Sequence, residues 1–466
     1  MNTQIEKNRR EFENSMNRIQ KSPQDLNTQM SIAREAATKA WLAHPGFYFH
    51  NQLEEELLSL GQKFKYVPNK NVTLKKNTTK TCYLHVLTTA YPTGGHTRLV
   101  ERWIRARAHY NEVHSIIITD QGLGIPSWLS EAVQLTGGNL IIIPLGLSVS
   151  ERSQFLRTVA YRWADRIILH IHPNDSIPLI AFGNTEGPPV IFLNHADHVF
   201  WLGVGISDLI ADPRVPGQEI SLSRRQVKQS EILPLPLNSK QLLSTSQYKK
   251  KFGINEDTVV LLTIASAFKF IPFGILNYMK VMTNIINQCP DVILYVIGAD
   301  KNNELWQQAI SATNGRIIVQ GVLEDIEDYY GIADIFVESF PMSSPTAALD
   351  AALYGVPVVR SPKPLSNILT IEYYDGMNQN ALSLNEYSEY LINIINDKKL
   401  RVTQTERQRT AVSAKHIGKG WNDYLDNLLT KIPSNHSIGF SNQIPSNIDY
   451  TYDEIRAQMQ LLNGGG

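Results

Sequence analysis

From Thr81 onward, short apolar runs of strand length alternate with stretches whose apolar residues recur at helical spacing. Tyr83–Thr88, His114–Thr119, Leu140–Pro144, Arg166–Ile171, Val190–Leu193 and Ser207–Ala211 read as strands. Leu99–His109, Trp128–Leu135 and Ser150–Trp163 read as the helices between them. Glu231–Asn238, with Pro234 and Pro236, reads as a linker. A second series opens at Thr258, with strands at Val259–Ile264, Val292–Gly298, Ile317–Val319, Asp334–Glu338 and Val356–Val359. Helices are expected there at Gly274–Gln288, Asn303–Thr313 and Ile326–Ile332. Alternation of this kind predicts parallel sheets covered by helices, in two doubly wound α/β domains with ligands at the C-terminal strand ends. Residues 1 to about 66 read helical, broken at His44-Pro45-Gly46, and predict an appendage packed on the first sheet. Val67–Lys80 reads as a linker, and Tyr387–Asn396, Gln404–Leu429 and Tyr452–Leu462 as late helices. The expected domains are therefore 1–78, 79–236, 237–410 and 411–466.

Composition narrows the function classes. With 466 residues and 42% hydrophobic, the chain can build sizeable cores. Its 44 basic and 44 acidic residues cancel, which argues against nucleic acid as the main partner. Cys82 and Cys289 lie inside apolar elements and read as reduced thiols, with no disulfide framework or zinc spacing. Met1–Gln20 is too polar for a signal peptide. The longest apolar run, Val259–Leu276, is interrupted by Lys269, Pro272 and Gly274, so no transmembrane helix is expected and the cytoplasm is the default compartment.

The most informative stretch is Asp334–Val359. Between its two strands Ser344 can cap a helix, Pro345 suits the first helical position, and Gly355 suits the end. The N–H groups of Thr346, Ala347 and Ala348 would then form an anion site at a sheet edge, with the Thr346 hydroxyl as a further donor. Asp350, one turn on, cannot bind phosphate but can accept hydrogen bonds from a ribose. A nucleotide diphosphate with its sugar fits this pattern; an ordinary capped helix is the plain alternative.

The same stretch resembles the nucleotide-sugar site of GT-B glycosyltransferases, most of all the O-linked N-acetylglucosamine transferase type. That type has a Pro-containing loop, Thr-Thr, an Asp and Gly-x-Pro, and Thr346, Asp350, Gly355 and Pro357 fall on it. Ala347 stands for the second Thr and Pro345 for the His before the pair. In the Glu-x7-Glu pattern of retaining relatives, Met342 and Asp350 stand for the two Glu, which favours inversion. The resemblance implies a GT-B fold: two Rossmann-like domains, an N-terminal helical appendage and C-terminal helices that cross back. It implies a metal-independent transferase with no cofactor beyond a nucleotide-sugar donor, UDP-linked first among the choices. The acceptor (protein, lipid or small molecule) and the oligomeric state stay open. The alternative is a catalytically inactive accessory subunit on the same frame, motivated by Pro345 and Ala347.

Other residues take roles under this resemblance. Lys269, just past a strand, sits in a Phe-Lys-Phe-Ile-Pro setting like that of the same type and would neutralise the leaving diphosphate. Gly95, in Thr93-Gly94-Gly95-His96, follows the first strand as the acceptor-side loop of GT-B enzymes does, and His96 is then a general base. Asp197 and His195 are rivals for that role. His170, His172, His195 and Asp197 admit a metal site, but a cleft wall floored by Phe200 and Trp201 is the better reading. Ser223-Arg224-Arg225 reads as a solvated basic turn, and the loop carrying Val322 is where relatives hold the base.

Overall fold

The computed structural model describes residues 3–21, 25–63, 79–92, 95–122, 124–241, 245–362, 382–441 and 451–462. The expected linker at 67–80 falls mostly outside them, as do Thr93, Gly94 and Gly464–Gly466. The chain divides into two compact units, Met1–Pro236 with Trp421–Gly466, and Leu237–Gly420.

Unit 1 begins with α1 (Gln4–Lys21), α2 (Leu26–Leu42) and α3 (Asn51–Gln62). Its sheet comprises β1 (Thr81–Leu87), β2 (Glu112–Ile118), β3 (Leu140–Ile142), β4 (Arg166–His170), β5 (Val190–Leu193), β6 (Leu209–Asp212) and β7 (Ser230–Ile232). The intervening helices are α4 (Gly95–Ala106), α5 (Ser127–Leu135), α6 (Val149–Trp163), α7 (Ile177–Ala181) and α8 (Val215–Arg224). All strand pairs are parallel, in the order β3-β2-β1-β4-β5-β6-β7. Near-continuous burial along β1, β2 and β5 is what helices on both faces of a parallel sheet require.

The appendage packs as expected: Phe12, Met30, Leu53 and Leu57 join Ile180 and Phe200 in one core. Glu54 fastens it, accepting the amide hydrogens of Gly203, Val204 and Gly205 at 2.6, 3.1 and 2.7 Å. Gly61 lets α3 touch α7, because a Cβ there would lie 2.7 Å from the Ile180 carbonyl oxygen. Strand β7 occupies the start of the expected linker; three residues ahead of a Pro-x-Pro leave too little apolar pattern to read.

Unit 2 contains α9 (Thr245–Lys251), β8 (Val259–Ile264), α10 (Tyr278–Gln288), β9 (Val292–Ile297), α11 (Glu304–Ala312) and β10 (Ile317–Val319). It continues through α12 (Glu327–Ile332), β11 (Ile335–Val337), α13 (Pro345–Leu353), β12 (Val358–Val359), α14 (Leu384–Asn396) and α15 (Lys398–His416). Its parallel sheet has the order β10-β9-β8-β11-β12. The chain then returns to unit 1 through α16 (Gly418–Thr430) and α17 (Thr451–Leu462). Trp421 packs edge-on against Trp103 at 5.7 Å and donates to the Pro234 carbonyl at 2.7 Å. No described helix is long and apolar enough to cross a membrane.

Candidate active site

In unit 2 the strand order reverses between β8 and β11, and ligands of open α/β sheets lie outside the C-terminal ends at such a point. Two loops meet there. A 3₁₀ turn after β8, Ala267–Phe270, carries Lys269. The loop after β11 carries Glu338, a cis Phe340–Pro341 bond and the start of α13. The loops are tied together: the Lys269 ammonium donates to the Ser343 carbonyl at 2.8 Å, and the Met342 amide donates to the Lys269 carbonyl at 3.3 Å. The ammonium therefore lies beside the first turn of α13.

That turn is the one expected to serve as an anion site, and it departs from the expectation in two respects. Pro345 occupies the first turn, but Ser344 makes no capping bond through its side chain. Ala348, expected to offer a third open amide, donates instead to the Ser344 carbonyl at 3.2 Å as the first bond of the helix. Thr346 and Ala347, both half-buried, are left as the amides whose partners four residues back lie outside the helix. Asp350 is half-buried one turn on. Beside it Tyr330 stacks on Tyr354 at 4.8 Å and donates to the Ala347 carbonyl at 3.2 Å. Burial and the Asp350 charge push the Tyr330 hydroxyl well above its ordinary pKa.

Sequence reasoning missed Glu338, which closes an apolar strand and read as its last residue. It is fully buried. Its Oε2 accepts the Ser361 amide at 3.1 Å, while Oε1 has no partner among the described residues. Burial raises its carboxyl to about 7 and lowers Lys269 to about 8, each charge partly offsetting the other's shift. Near neutral pH the ammonium is thus still largely charged while its carboxylate neighbour is partly discharged, leaving positive charge available to an anion. Val322 is exposed, one residue beyond the left-handed Gly321.

In unit 1 the reversal lies between β1 and β4. Gly95 and His96 open α4 there. His96 donates through Nε2 to the His170 carbonyl at 2.8 Å, and burial lowers its ring to about 4. Its centroid lies 4.4 Å from that of His195 and 6.1 Å from that of His172. The Nδ1 atoms of His96, His170 and His195 have no partner among the described residues. Neutral imidazoles with open nitrogens can accept protons. Asp197 is differently placed. It is buried and gripped by both Nε and Nη2 of Arg214, the latter at 2.7 Å. Burial opposes its ionisation, but Arg214 and His198 hold the carboxyl well below its usual range. A carboxylate so held is a weak base.

Two expectations are corrected. Arg225 is not a solvated turn residue: it is fully buried and donates to the carbonyls of Tyr48, Asp197 and Val199. Phe200 and Trp201 are core residues rather than a floor open to ligand, with Trp201 stacked on Phe192 at 4.2 Å and Arg225 over its ring at 4.5 Å. Arg225, at the end of α8, lies over the Trp201 ring, while Phe12 and Phe47 of the appendage pack against Phe200. Among the described residues no three His, Cys, Asp or Glu are placed to hold a metal ion together.

Residues 260–397 match the family described as Glycosyl transferases group 1. A variant of the Thermobaculum terrenum O-GlcNAc transferase is similar in structure, with a TM-score of 0.55 at 12% identity over 98% of this chain and 83% of that one. HepE from Anabaena, solved with UDP and glucose, has a TM-score of 0.53 at 13% identity over 75% of this chain and 99% of its own. The sucrose-phosphate synthase of Thermosynechococcus elongatus has a TM-score of 0.54 at 12% identity, covering 76% and 99%. No curated protein matches the sequence. The fold is that of the GT-B glycosyltransferases.

Proposed function

We propose that the protein is a glycosyltransferase that moves a sugar from a nucleoside diphosphate donor, UDP-linked first among the candidates, to an acceptor hydroxyl or amide. The observation that carries the reading is the meeting of Lys269 with the open amides of Thr346 and Ala347 where β8 and β11 diverge. The match of residues 260–397 to a glycosyl transferase family supports it, as do the nucleotides in solved neighbours. As the bond from the anomeric carbon to the diphosphate breaks, the electron pair goes to the leaving phosphate oxygen. Lys269 and the dipole of α13 stabilise that charge where it develops. Asp350 accepts from the ribose hydroxyls. Unit 1 takes the acceptor, with His96 as base and His195 beside it. No step calls for a metal. Met342, in place of an acidic residue, favours inversion, so NMR of the product is expected to show the inverted anomer; a retained one rejects that part.

The test is to incubate the protein with a panel of UDP-sugars and measure UDP release. Turnover is expected with at least one donor, falling about 10²–10³-fold in Lys269→Ala, the loss typical of removing one transition-state charge partner. Ala347, which removes a hydroxyl from the phosphate side, favours a second reading as a donor-binding accessory subunit. Donor binding without turnover on any sugar would establish that reading instead.

A further inference from the structure

Three histidines from three adjacent strands form a hydrogen-bonded ladder inside unit 1. His170 Nε2 meets His85 Nδ1 at 2.9 Å, and His85 Nε2 meets His114 Nδ1 at 2.9 Å. His114 Nε2 meets Glu112 Oε2 at 3.0 Å. All three rings are fully buried. Register sets the direction: His170 pairs with Leu87 near the C-terminal end of β1, and His114 with Tyr83 near its start. The ladder thus runs diagonally from the ligand edge of the sheet to Glu112, at the first position of β2. There Arg107 holds the carboxylate through Nε at 2.9 Å and through Nη2, and reaches the half-exposed Asp426 at 2.7 Å. Trp103 stands edge-on to His85 and His170, and Tyr83 stacks on His114.

The chemistry of the ends fixes every proton between them. Burial raises the Glu112 carboxyl, but Arg107 and His114 outweigh it and keep the group below its ordinary value. An ionised Glu112 can only accept, so His114 carries its proton on Nε2, which leaves its Nδ1 to accept from His85 Nε2. By the same logic His85 Nδ1 accepts from His170 Nε2. His170 Nδ1 is then a bare lone pair, and that atom has no partner among the described residues.

We propose that this ladder is a one-proton relay that presents His170 Nδ1 as a base at the C-terminal edge of the sheet and passes the proton it takes transiently to Glu112, whose hold by Arg107 makes it a weak base that gives the proton back. A proton arriving from an O–H or N–H at that edge forms a bond to His170 Nδ1. The His170 Nε2–H proton moves to His85 Nδ1, that of His85 Nε2 to His114 Nδ1, and that of His114 Nε2 to Glu112. Each ring gains one N–H and loses one. The end state has three neutral rings and a neutral carboxyl, all hydrogen bonds kept with reversed polarity. No imidazolium persists in the core, where its desolvation would be costly. Returning the proton through His170 resets the ladder. The rings of His96 and His195 stand at the same edge, so the relay can discharge the base of the proposed transfer. Only that link rests on the transferase reading.

The test uses nitrogen-15 NMR of the histidine rings in the full chain near neutral pH, and needs no sugar donor. The expected result is one tautomer for His85, His114 and His170, protonated on Nε2, with the bare-nitrogen shift at His170 Nδ1. The His114 Nε2 proton, the one the relay places on the 8% exposed Glu112, is expected to exchange with deuterium at least ~10-fold faster than the backbone amides of β2, whose exchange requires opening of the sheet. Glu112→Gln, which cannot take up the proton, should slow ring exchange toward the amide rate. A mixture of tautomers in the unaltered protein, or a His114 Nε2 proton protected as long as its neighbouring amides, overturns the proposal whether or not the variant folds. A protein without transferase activity that passes this test retains the relay and loses only its partner reaction.

Discussion

In the proposed transferase Lys269 and Asp350 divide the work of one site, and their side chains should fail in different ways. Lys269 must be protonated to act. With its ammonium lowered to about 8 by burial, turnover is expected to fall as pH rises through that value. Lys269→Arg, whose guanidinium stays charged, should remove this alkaline limb even where it lowers the maximum rate. A pH–rate profile of both proteins decides it, and an unchanged limb in the variant would mean that another group titrates. Asp350→Asn should weaken UDP binding without abolishing it. A charge-assisted hydrogen bond contributes ~1.5–3 kcal/mol, so calorimetry should find a loss of about tenfold or more. Equal affinities would remove Asp350 from the ribose site. Residues of this kind were legible in the sequence where they sat beside punctuation: Pro345 and Gly355 bracket a helix, and Lys269 follows a strand. Glu338, Arg225, His85 and His114 were not, because nothing local tells a buried partner from a strand-end or turn residue. Their surroundings come from segments far along the chain, as when Tyr48 and Val199 enclose Arg225.

At the scale of elements, strand length decided what could be read. β1, β2, β8 and β9 are six or seven residues long, each with a run of apolar positions, and stood out, and with them both parallel sheets. β7 has three residues, two of them polar, and its place at the sheet edge is set by pairing with β6 rather than by its own pattern. Helix contacts were equally hidden. The approach of α3 to α7 depends on Gly61, whose carbonyl also accepts from Arg157 at 2.8 Å. Gly61→Val would drive its side chain into the Ile180 carbonyl, and overpacking of this sort costs about 1–3 kcal/mol. The expected outcome is a lower melting temperature for unit 1, read from the fluorescence of its tryptophans, with nucleotide binding by unit 2 unaltered. An unchanged melt would show that α3 can shift without loss.

For the whole molecule, the two units differ in how they are strung. Unit 2 is one unbroken segment, whereas unit 1 is completed only by residues 421–466. A fragment of residues 237–420 should therefore melt cooperatively and bind UDP alone, as judged by a thermal shift with added nucleotide. A fragment of residues 1–236 lacks the indole that Trp103 packs against and should melt earlier than unit 1 in the full chain. Equal melting temperatures would show that the returning helices add nothing to that core.

The position of Trp421 also sets a timetable on the ribosome. Unit 2 can close as soon as residues 237–420 have emerged, but the half that emerges first must wait for residues 421 onward before its core is sealed. Until then a growing chain carries an open apolar surface, and a stalled or prematurely terminated product would be recognised by chaperones and proteases through its oldest part rather than its newest.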